Sequence, residues 1–156
     1  MADLTDRGAG AATLADAHIL LIEDDPDDVM IIKRALARAP IAIETETQKN
    51  GREALDYLTQ KYDQNRMDDI SLILLDLNMP MMDGHEFLHI LRGDERFKAL
   101  PVVVLTTSTQ PEIIQRAYRD GANAVISKAD TLEGMMNVVD TIVRFWFQTA
   151  QRFYLK

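Results

Sequence analysis

The sequence contains no cysteine, and this absence excludes disulfide bridges, thiolate metal sites and a thiol nucleophile. It also lacks any apolar run that approaches in length the roughly 20 residues needed by a membrane-spanning helix. Residues 1–17 offer neither a basic leader nor a long apolar stretch, so no targeting signal is indicated there. We therefore expect a cytoplasmic protein without membrane contact, in which residues 1–17 form a flexible N-terminal extension.

Basic residues are scarce relative to acidic ones, with 17 Lys and Arg against 25 Asp and Glu and a net charge of -8. This charge repels phosphate backbones, so we expect no nucleic-acid partner. The 156 residues have the size of one ordinary domain that can bury a core unaided. We place this domain at residues 18–144 and treat residues 145–156 as an aromatic C-terminal extension.

Short aliphatic segments predict the strands. Residues 19–22, 72–75 and 102–105 are apolar without alternation, which is typical of strands buried on both faces of a parallel sheet. Residues 124–126 form a weaker fourth segment, and residues 41–47 alternate like a strand near an edge. The sequence therefore predicts a sheet of five strands.

Helical patterns separate these strands. The first begins at Asp25, a capping carboxylate followed by Pro26 and by Asp27 and Asp28, two acids that we interpret as helix-start residues facing the positive end of the helix dipole. Further helices are expected from about residues 50, 83, 109 and 131, the last continuing past Trp146. Alternating strands and helices predict a doubly wound α/β domain with a parallel sheet and helices on both faces.

Polar side chains follow the ends of four predicted strands. They are Glu23, Asp24, Asp76, Thr106 and Lys128. In a doubly wound sheet ligands bind beyond the carboxyl ends of the strands, so these groups are expected to converge there. The three carboxylates need a cation, and hard oxygen ligands of this kind favour Mg²⁺ beside the lysine.

A carboxylate beside Mg²⁺ can attack phosphorus and form an acyl phosphate. Asp76 is the best placed of the three, because it leads into the loop shaped by Pro80 and Gly84. Lys128 and the Thr106 hydroxyl would then meet the transferred phosphoryl oxygens as a positioned cation and donor. Thr107 is expected to lend a backbone amide rather than its hydroxyl.

Four stretches, "ILLIEDDPDD", "LILLDLNMPMMDGHEFL", "VVVLTTS" and "AVISK", resemble the receiver domain of two-component response regulators in order and spacing across residues 18 to about 145. The resemblance implies a flavodoxin-like fold and a phosphoryl group accepted by Asp76 from a histidine kinase. It further implies that Glu23 and Asp24 hold Mg²⁺, Glu23 through a water, and that the Asn78 carbonyl completes the metal site. Thr106 and Lys128 are implied to respond to the phosphoryl group.

Two positions depart from the family pattern. Receivers usually carry proline in a cis peptide after the lysine, whereas Ala129 stands here and favours a trans bond. They commonly carry an aromatic residue three positions before the lysine, whereas this chain has Val125. The usual switch between hydroxyl and aromatic ring is therefore incomplete, and we expect output through helix surfaces.

The C-terminal segment holds five of the ten aromatic residues. It resembles the tail of small receivers paired with bacterial phytochromes and related kinases, in which such a segment supports a homodimer. Exposed aromatics on this segment usually mark an interface. We therefore expect dimer or partner contacts from Phe145, Trp146, Phe147, Phe153 and Tyr154. The chain ends soon after its last helix, so a stand-alone receiver that contacts a downstream protein or phosphotransfer partner is expected.

Two other functions remain open at this point. One is an Mg²⁺-dependent phosphatase or phosphotransferase working through an aspartyl phosphate, although Asn78 occupies the position where such enzymes need a second acid. The other is a degenerate receiver that serves only as a binding scaffold. His85 and His89 lie four apart on a predicted helix but have no evident third ligand, so we expect both at the surface rather than on a metal.

Overall fold

The computed structural model describes residues 16–151 and contains one sheet of five parallel strands. The spatial order is β2-β1-β3-β4-β5, so β2 and β5 form the edges. All of the predicted strands are present, and they are β1 (Ala17–Ile22), β2 (Ile43–Gln48), β3 (Leu72–Leu75), β4 (Val102–Thr106) and β5 (Ala124–Ser127). The doubly wound, flavodoxin-like prediction is therefore confirmed.

Five α-helices connect and flank these strands. They are α1 (Pro26–Ala37), α2 (Gly51–Asp63), α3 (Gly84–Gly93), α4 (Pro111–Arg119) and α5 (Leu132–Val143), with a short 3₁₀ turn at Met67–Asp69. A π-helical segment, Arg144–Thr149, continues α5 past Trp146 as the sequence indicated. No helix in the stretch from residue 16 to residue 151 has the length and apolarity to cross a membrane.

Side-chain caps fix where several helices begin. The Asp25 carboxylate accepts a hydrogen bond from the Asp27 amide at 2.9 Å, with proline in the first turn. Asn50, Asp83 and Thr131 cap α2, α3 and α5 in the same way. These caps satisfy amides that have no partner within the helix, so the local sequence determines where these four helices begin.

Two apolar layers hold the helices against the sheet. Alternation along β1 sends Leu20 and Ile22 to one face, where they join a core that includes Phe87 of α3. Ile19 and Leu21 point to the other face, toward a core built by α1 and α5. Because successive strand residues point to opposite faces, a continuous aliphatic run serves both cores at once.

The guanidinium of Arg92, near the end of α3, binds loops on the side of the domain opposite the carboxyl ends of the strands. It donates to the carbonyl oxygens of Gly121 (2.9 Å), Lys98 (2.8 Å) and Leu100 (2.7 Å) and to Oδ1 of Asn123 (3.0 Å). A single half-buried side chain thus joins the loops before β4 and β5, the two strands that end in Thr106 and Ser127.

Gly84 is tightly packed where α3 begins. A Cβ built there would lie 2.5 Å from the Asp76 carbonyl oxygen and 2.8 Å from the Leu77 Cα, both of them backbone atoms that cannot rotate away. We therefore expect Gly84→Ala to lower the free energy of unfolding by roughly 2 kcal/mol or more, measured by denaturant titration. Gly93→Ala in the same helix is the control, because a Cβ there meets nothing within 4 Å. Equal stability of the two variants would contradict this packing argument.

Candidate functional site

The acidic site lies at the carboxyl ends of β1 and β3. These strands pair in parallel with Ile22 beside Leu75, so the residues that follow them, Glu23 and Asp76, emerge side by side. The Asp76 amide donates to the Ile22 carbonyl oxygen at 3.0 Å, which continues the ladder one residue beyond the strand. Adjacent parallel strands thus bring together two acids that are distant in sequence.

Glu23, Asp24 and Asp76 form a cluster whose nearest carboxylate oxygens all lie within 4.8 Å of one another. Glu23 and Asp76 are buried, with 2% and 7% of their surfaces exposed, whereas Asp24 is open to solvent. Three hard oxygen donors at this separation, one of them facing water, fit a magnesium ion that keeps part of its hydration shell. The predicted metal-binding acids are therefore close enough to share one ion.

Lys128 brings a positive charge into this cluster from the end of β5. Its Nζ lies 2.6 Å from Oε1 of Glu23, 2.8 Å from Oδ2 of Asp28 and 3.6 Å from Oδ1 of Asp76. Only 7% of the lysine side chain is exposed. Two backbone contacts place the lysine beside these acids. Thr106 pairs with Ser127 in the sheet, and the Lys128 amide donates to the Thr106 carbonyl oxygen at 2.8 Å.

Burial is the main influence on the pKa values of the two buried acids, Glu23 and Asp76. It raises the pKa of Glu23 to about 7, and the ion pair with Lys128 offsets only part of that effect. Burial likewise raises the pKa of Asp76, against the opposing charge of Lys128. For Lys128, burial alone would lower the pKa, but the bonds to Asp28 and Glu23 outweigh it and hold the pKa above its usual range. The ammonium therefore stays charged while the acid pair holds protons more tightly than free carboxyls.

Backbone amides donate hydrogen bonds to the carboxylates of Glu23 and Asp76. The Asn78 amide hydrogen-bonds the Asp76 carboxylate, which favours its charged form. Oε2 of Glu23 accepts from the amides of Asp24 at 3.1 Å and Asp25 at 3.3 Å. These bonds fix the orientation of the two carboxylates before any ligand arrives. The predicted role of the Asn78 carbonyl as a metal ligand stays a prediction.

Thr106 is the last residue of β4, and its hydroxyl contacts the loop that follows the strand. Thr106 is fully buried, and its Oγ1 accepts a hydrogen bond from the Ser108 amide at 3.1 Å. Thr107 is exposed at the same strand end. Thr106 thus lies beside the backbone that positions Lys128, while the predicted contacts of Thr106 and Thr107 with phosphoryl oxygens stay predictions.

Asp28 is the site residue that sequence reasoning missed. It lies in the first turn of α1 as expected, but its carboxylate also pairs with Lys128, 100 positions away in the chain. The acids at the start of α1 have a sufficient local explanation in the helix dipole, which hides a second role. No spacing in the sequence indicates this pairing, because it joins the first turn of α1 to the residue after β5 through tertiary packing.

The two departures from the family pattern have distinct structural settings. No peptide bond within residues 16–151 is cis, so the trans bond expected at Ala129 is confirmed. Val125 is half-buried against the core, and its amide donates to the hydroxyl of Tyr118 on α4 at 3.1 Å. The aromatic residue that contacts this part of the edge strand therefore comes from a neighbouring helix rather than from position 125.

The prediction that both histidines of α3 lie at the surface is wrong for His85. Only 8% of His85 is exposed, and its Nδ1 lies 3.2 Å from Oδ2 of Asp120, just after α4. His89 faces outward as expected. His85 therefore ties α3 to α4, a tertiary contact that helical periodicity alone does not show.

The C-terminal aromatics divide between core and surface. Trp146 and Phe147 are half-buried against the α1 and α5 layer, whereas 52% of Phe145 is exposed. The rings of Phe145 and Trp146 meet edge to face with centroids 5.3 Å apart. Phe153 and Tyr154 lie outside the described residues. Among the described members of the predicted interface, Phe145 therefore offers the largest free apolar surface.

Comparison with known proteins gives related sequences of similar length. The chain is 38% identical over 128 residues to the probable methanogenesis regulatory protein FilR2 of Methanothrix harundinacea, covering 82% of each chain. It is 33% identical over 132 residues to response regulator Rcp1 of Synechocystis, covering 85% of this chain and 90% of Rcp1. Both relatives carry regulatory names, which agrees with a signalling protein.

Solved structures show the same architecture. The phosphorylated cyanobacterial phytochrome response regulator RcpA superposes with a TM-score of 0.81 at 37% identity, covering 88% of this chain and 99% of RcpA. The Mn²⁺-bound form of Rcp1 gives a TM-score of 0.79 at 31% identity, with the same coverage. The model of the response regulator receiver domain matches residues 19–140. With the acidic cluster and its lysine at the strand ends, these matches show that the chain belongs to the response regulator receiver domain family.

Proposed function

We propose that this receiver accepts a phosphoryl group on Asp76 from a phosphohistidine of a sensor kinase and signals through protein contacts. The observation that carries the proposal is the position of the Asp76 carboxylate, buried at the end of a central strand, in one cluster with Glu23 and Asp24 and 3.6 Å from the Lys128 ammonium. This is an arrangement in which a carboxylate can act as nucleophile while the charge that develops is neutralised.

In the proposed transfer, an Asp76 oxygen forms a bond to phosphorus as the bond from phosphorus to the histidine nitrogen breaks, and the imidazole keeps the electron pair. Lys128 supplies a fixed positive charge for the phosphoryl oxygens, and the Thr106 hydroxyl and Thr107 amide supply donors. Glu23, Asp24, Asp76 and the Asn78 carbonyl would hold Mg²⁺, which when bound offsets the negative charge of the acids and the phosphoryl group.

For the partner kinase we propose a phytochrome-type histidine kinase. The support is the similarity to RcpA, which is described as a phytochrome response regulator and resembles this chain over 88% of its length. We also place the protein in the cytoplasm, because a histidine kinase draws its phosphoryl group from ATP, which is held there. Nucleic acid is not proposed as a partner, given the net charge of -8.

We further propose a homodimer formed through the C-terminal aromatic segment. Phe145 supports this, because it exposes about half of its surface while its ring is fixed against Trp146. A rigid, exposed aromatic side chain loses little conformational entropy on binding and is a common anchor of interfaces. Phe153 and Tyr154 are proposed to extend the same surface.

Incubation with Mg²⁺ and acetyl phosphate should give one labile phosphoryl adduct per chain, detected by intact mass and mapped to Asp76. Asp76→Asn should abolish it, because the amide is not a nucleophile toward phosphorus. Asp27→Asn, at an exposed acid near the pocket, is the matched control and should label normally. Continued labelling of Asp76→Asn would contradict the assignment, and sustained multiple-turnover release of phosphate would favour the enzyme alternative.

The metal-free protein should lose stability as pH rises. Since burial raises the pKa of Glu23 from 4.5 to about 7, the folded state holds a proton that the unfolded chain releases across this interval. The stabilisation is therefore full below about pH 4.5 and is lost as pH rises through about 7, a change on the order of 1–3 kcal/mol in the free energy of unfolding.

Urea titrations in the presence of a chelator, between about pH 5 and 8, measure this dependence. Glu23→Gln should make the decline shallower, because the proton held by Glu23 is then absent and only the raised pKa of Asp76 still contributes. Glu133→Gln, at an exposed acid of α5, is the control and should keep the wild-type slope. A Glu23→Gln slope equal to that of wild type would show that Glu23 does not hold the proton.

Phe145→Ala should weaken the proposed dimer, raising its dissociation constant roughly tenfold or more, as loss of a central aromatic anchor does. Sedimentation velocity over a concentration series measures the change. The control is Ile90→Ala, which removes a 37% exposed apolar side chain on α3. A single point substitution is cleaner than truncation after Arg144, which would also remove the half-buried Trp146 and Phe147 from the core. An unchanged dissociation constant would remove Phe145 from the interface.

A further inference from the structure

The ammonium of Lys128 lies closer to a carboxylate of α1 than to Asp76. The distance from Nζ is 2.8 Å to Oδ2 of Asp28, against 3.6 Å to Oδ1 of Asp76, and the remaining close partner is Glu23 at 2.6 Å. An ammonium has three N–H donors in a compact head. Two of the three are therefore committed to acids that are not the proposed phosphoryl acceptor.

Asp28 differs from the other two partners of Lys128 in its setting. Glu23 and Asp76 belong to the cluster that fits Mg²⁺, whereas Asp28 lies outside that cluster, on the first turn of α1. Its side chain is 31% exposed, against 2% for Glu23, so water can solvate its carboxylate when the ammonium leaves, at a lower cost than for the buried acid. Of the three carboxylates, Asp28 is the one whose bond to Lys128 can be given up without disturbing the metal ligands.

A phosphoryl group on Asp76 would compete for the same ammonium. It adds negatively charged oxygens on the side of Lys128 where the present contact is longest, and a charge-assisted bond to them requires the lysine to shift toward Asp76. The Asp28 carboxylate opposes that shift by its attraction for the ammonium and also repels the phosphoryl charge.

We propose that Asp28 is a positioning residue that holds Lys128 in the unphosphorylated protein and competes with the phosphoryl group for its ammonium, so that it limits how tightly and how long the phosphorylated state is held. This inference rests on the proposed phosphoryl acceptance by Asp76. It assigns to the acid-rich start of α1 a role beyond capping. It also ties α1 to the phosphorylation state, because the exchange removes a bond between the first turn of α1 and the residue that follows β5.

The test compares Asp28→Asn with Asp27→Asn. Both variants remove one negative charge from the first turn of α1, but only Asp28 contacts the lysine, whereas Asp27 is exposed. Calorimetry measures the affinity for beryllofluoride in the presence of Mg²⁺. The lifetime of the phosphoryl group is measured from the decay of the phosphorylated protein after labelling with acetyl phosphate. Asp28→Asn should tighten beryllofluoride binding and lengthen the lifetime, each by roughly three- to tenfold, as expected for a directly coupled pair. Asp27→Asn should stay within about twofold of wild type.

Repeating the comparison in a Lys128→Ala background distinguishes competition for the lysine from general charge repulsion. If Asp28 acts through Lys128, the difference between Asp28→Asn and Asp27→Asn should disappear there. Equal effects of the two substitutions in the native background, or weaker beryllofluoride binding by Asp28→Asn, would overturn the inference while leaving the proposed function intact. Wild-type protein that takes up neither beryllofluoride nor a phosphoryl group would instead overturn the proposed function, and the inference with it.

Discussion

The site depends on one buried ammonium among four carboxylates. Glu23 and Asp76 emerge next to each other from adjacent strands, with Asp24 and Asp28 beside them, and two unpaired buried carboxylates at that distance would each be costly. Lys128 contacts three of the four acids and so makes this density of charge compatible with folding. The remaining excess of negative charge leaves the pocket suited to a divalent cation.

The fold delivers these groups by means that are independent of the site's chemistry. Parallel pairing aligns the ends of β1, β3 and β5 at one edge, and the two apolar layers hold the strands in that alignment. Gly84 lets α3 begin directly against the backbone of Asp76, and Arg92 fixes the loops at the opposite end. A rigid scaffold with charged groups on its rim is the common plan of doubly wound folds, in which function lies beyond the strand ends.

Local sequence was sufficient for most of the fold and for the close approach of Glu23, Asp24 and Asp76. The run at residues 72–75 coincides with β3, and Asp25, Asn50 and Asp83 cap helices because their side chains satisfy nearby amides. Two contacts were not predictable, because tertiary packing joins residues that are far apart in the sequence. Asp28 and Lys128 are 100 positions apart, and His85 and Asp120 are 35 positions apart. In both cases a helical pattern gave an adequate local explanation, and neither contact was indicated by helical periodicity.

The most direct test of this account is a crystal structure with Mg²⁺ and beryllofluoride. We expect the ion on Glu23, Asp24 and Asp76, the beryllium on an Asp76 oxygen, and Lys128 within bonding distance of a fluorine with its contact to Asp28 lengthened. A metal bound elsewhere, or a lysine that stays on Asp28 and faces away from the fluorines, would contradict the claim that this ammonium neutralises the pocket and then serves the phosphoryl group.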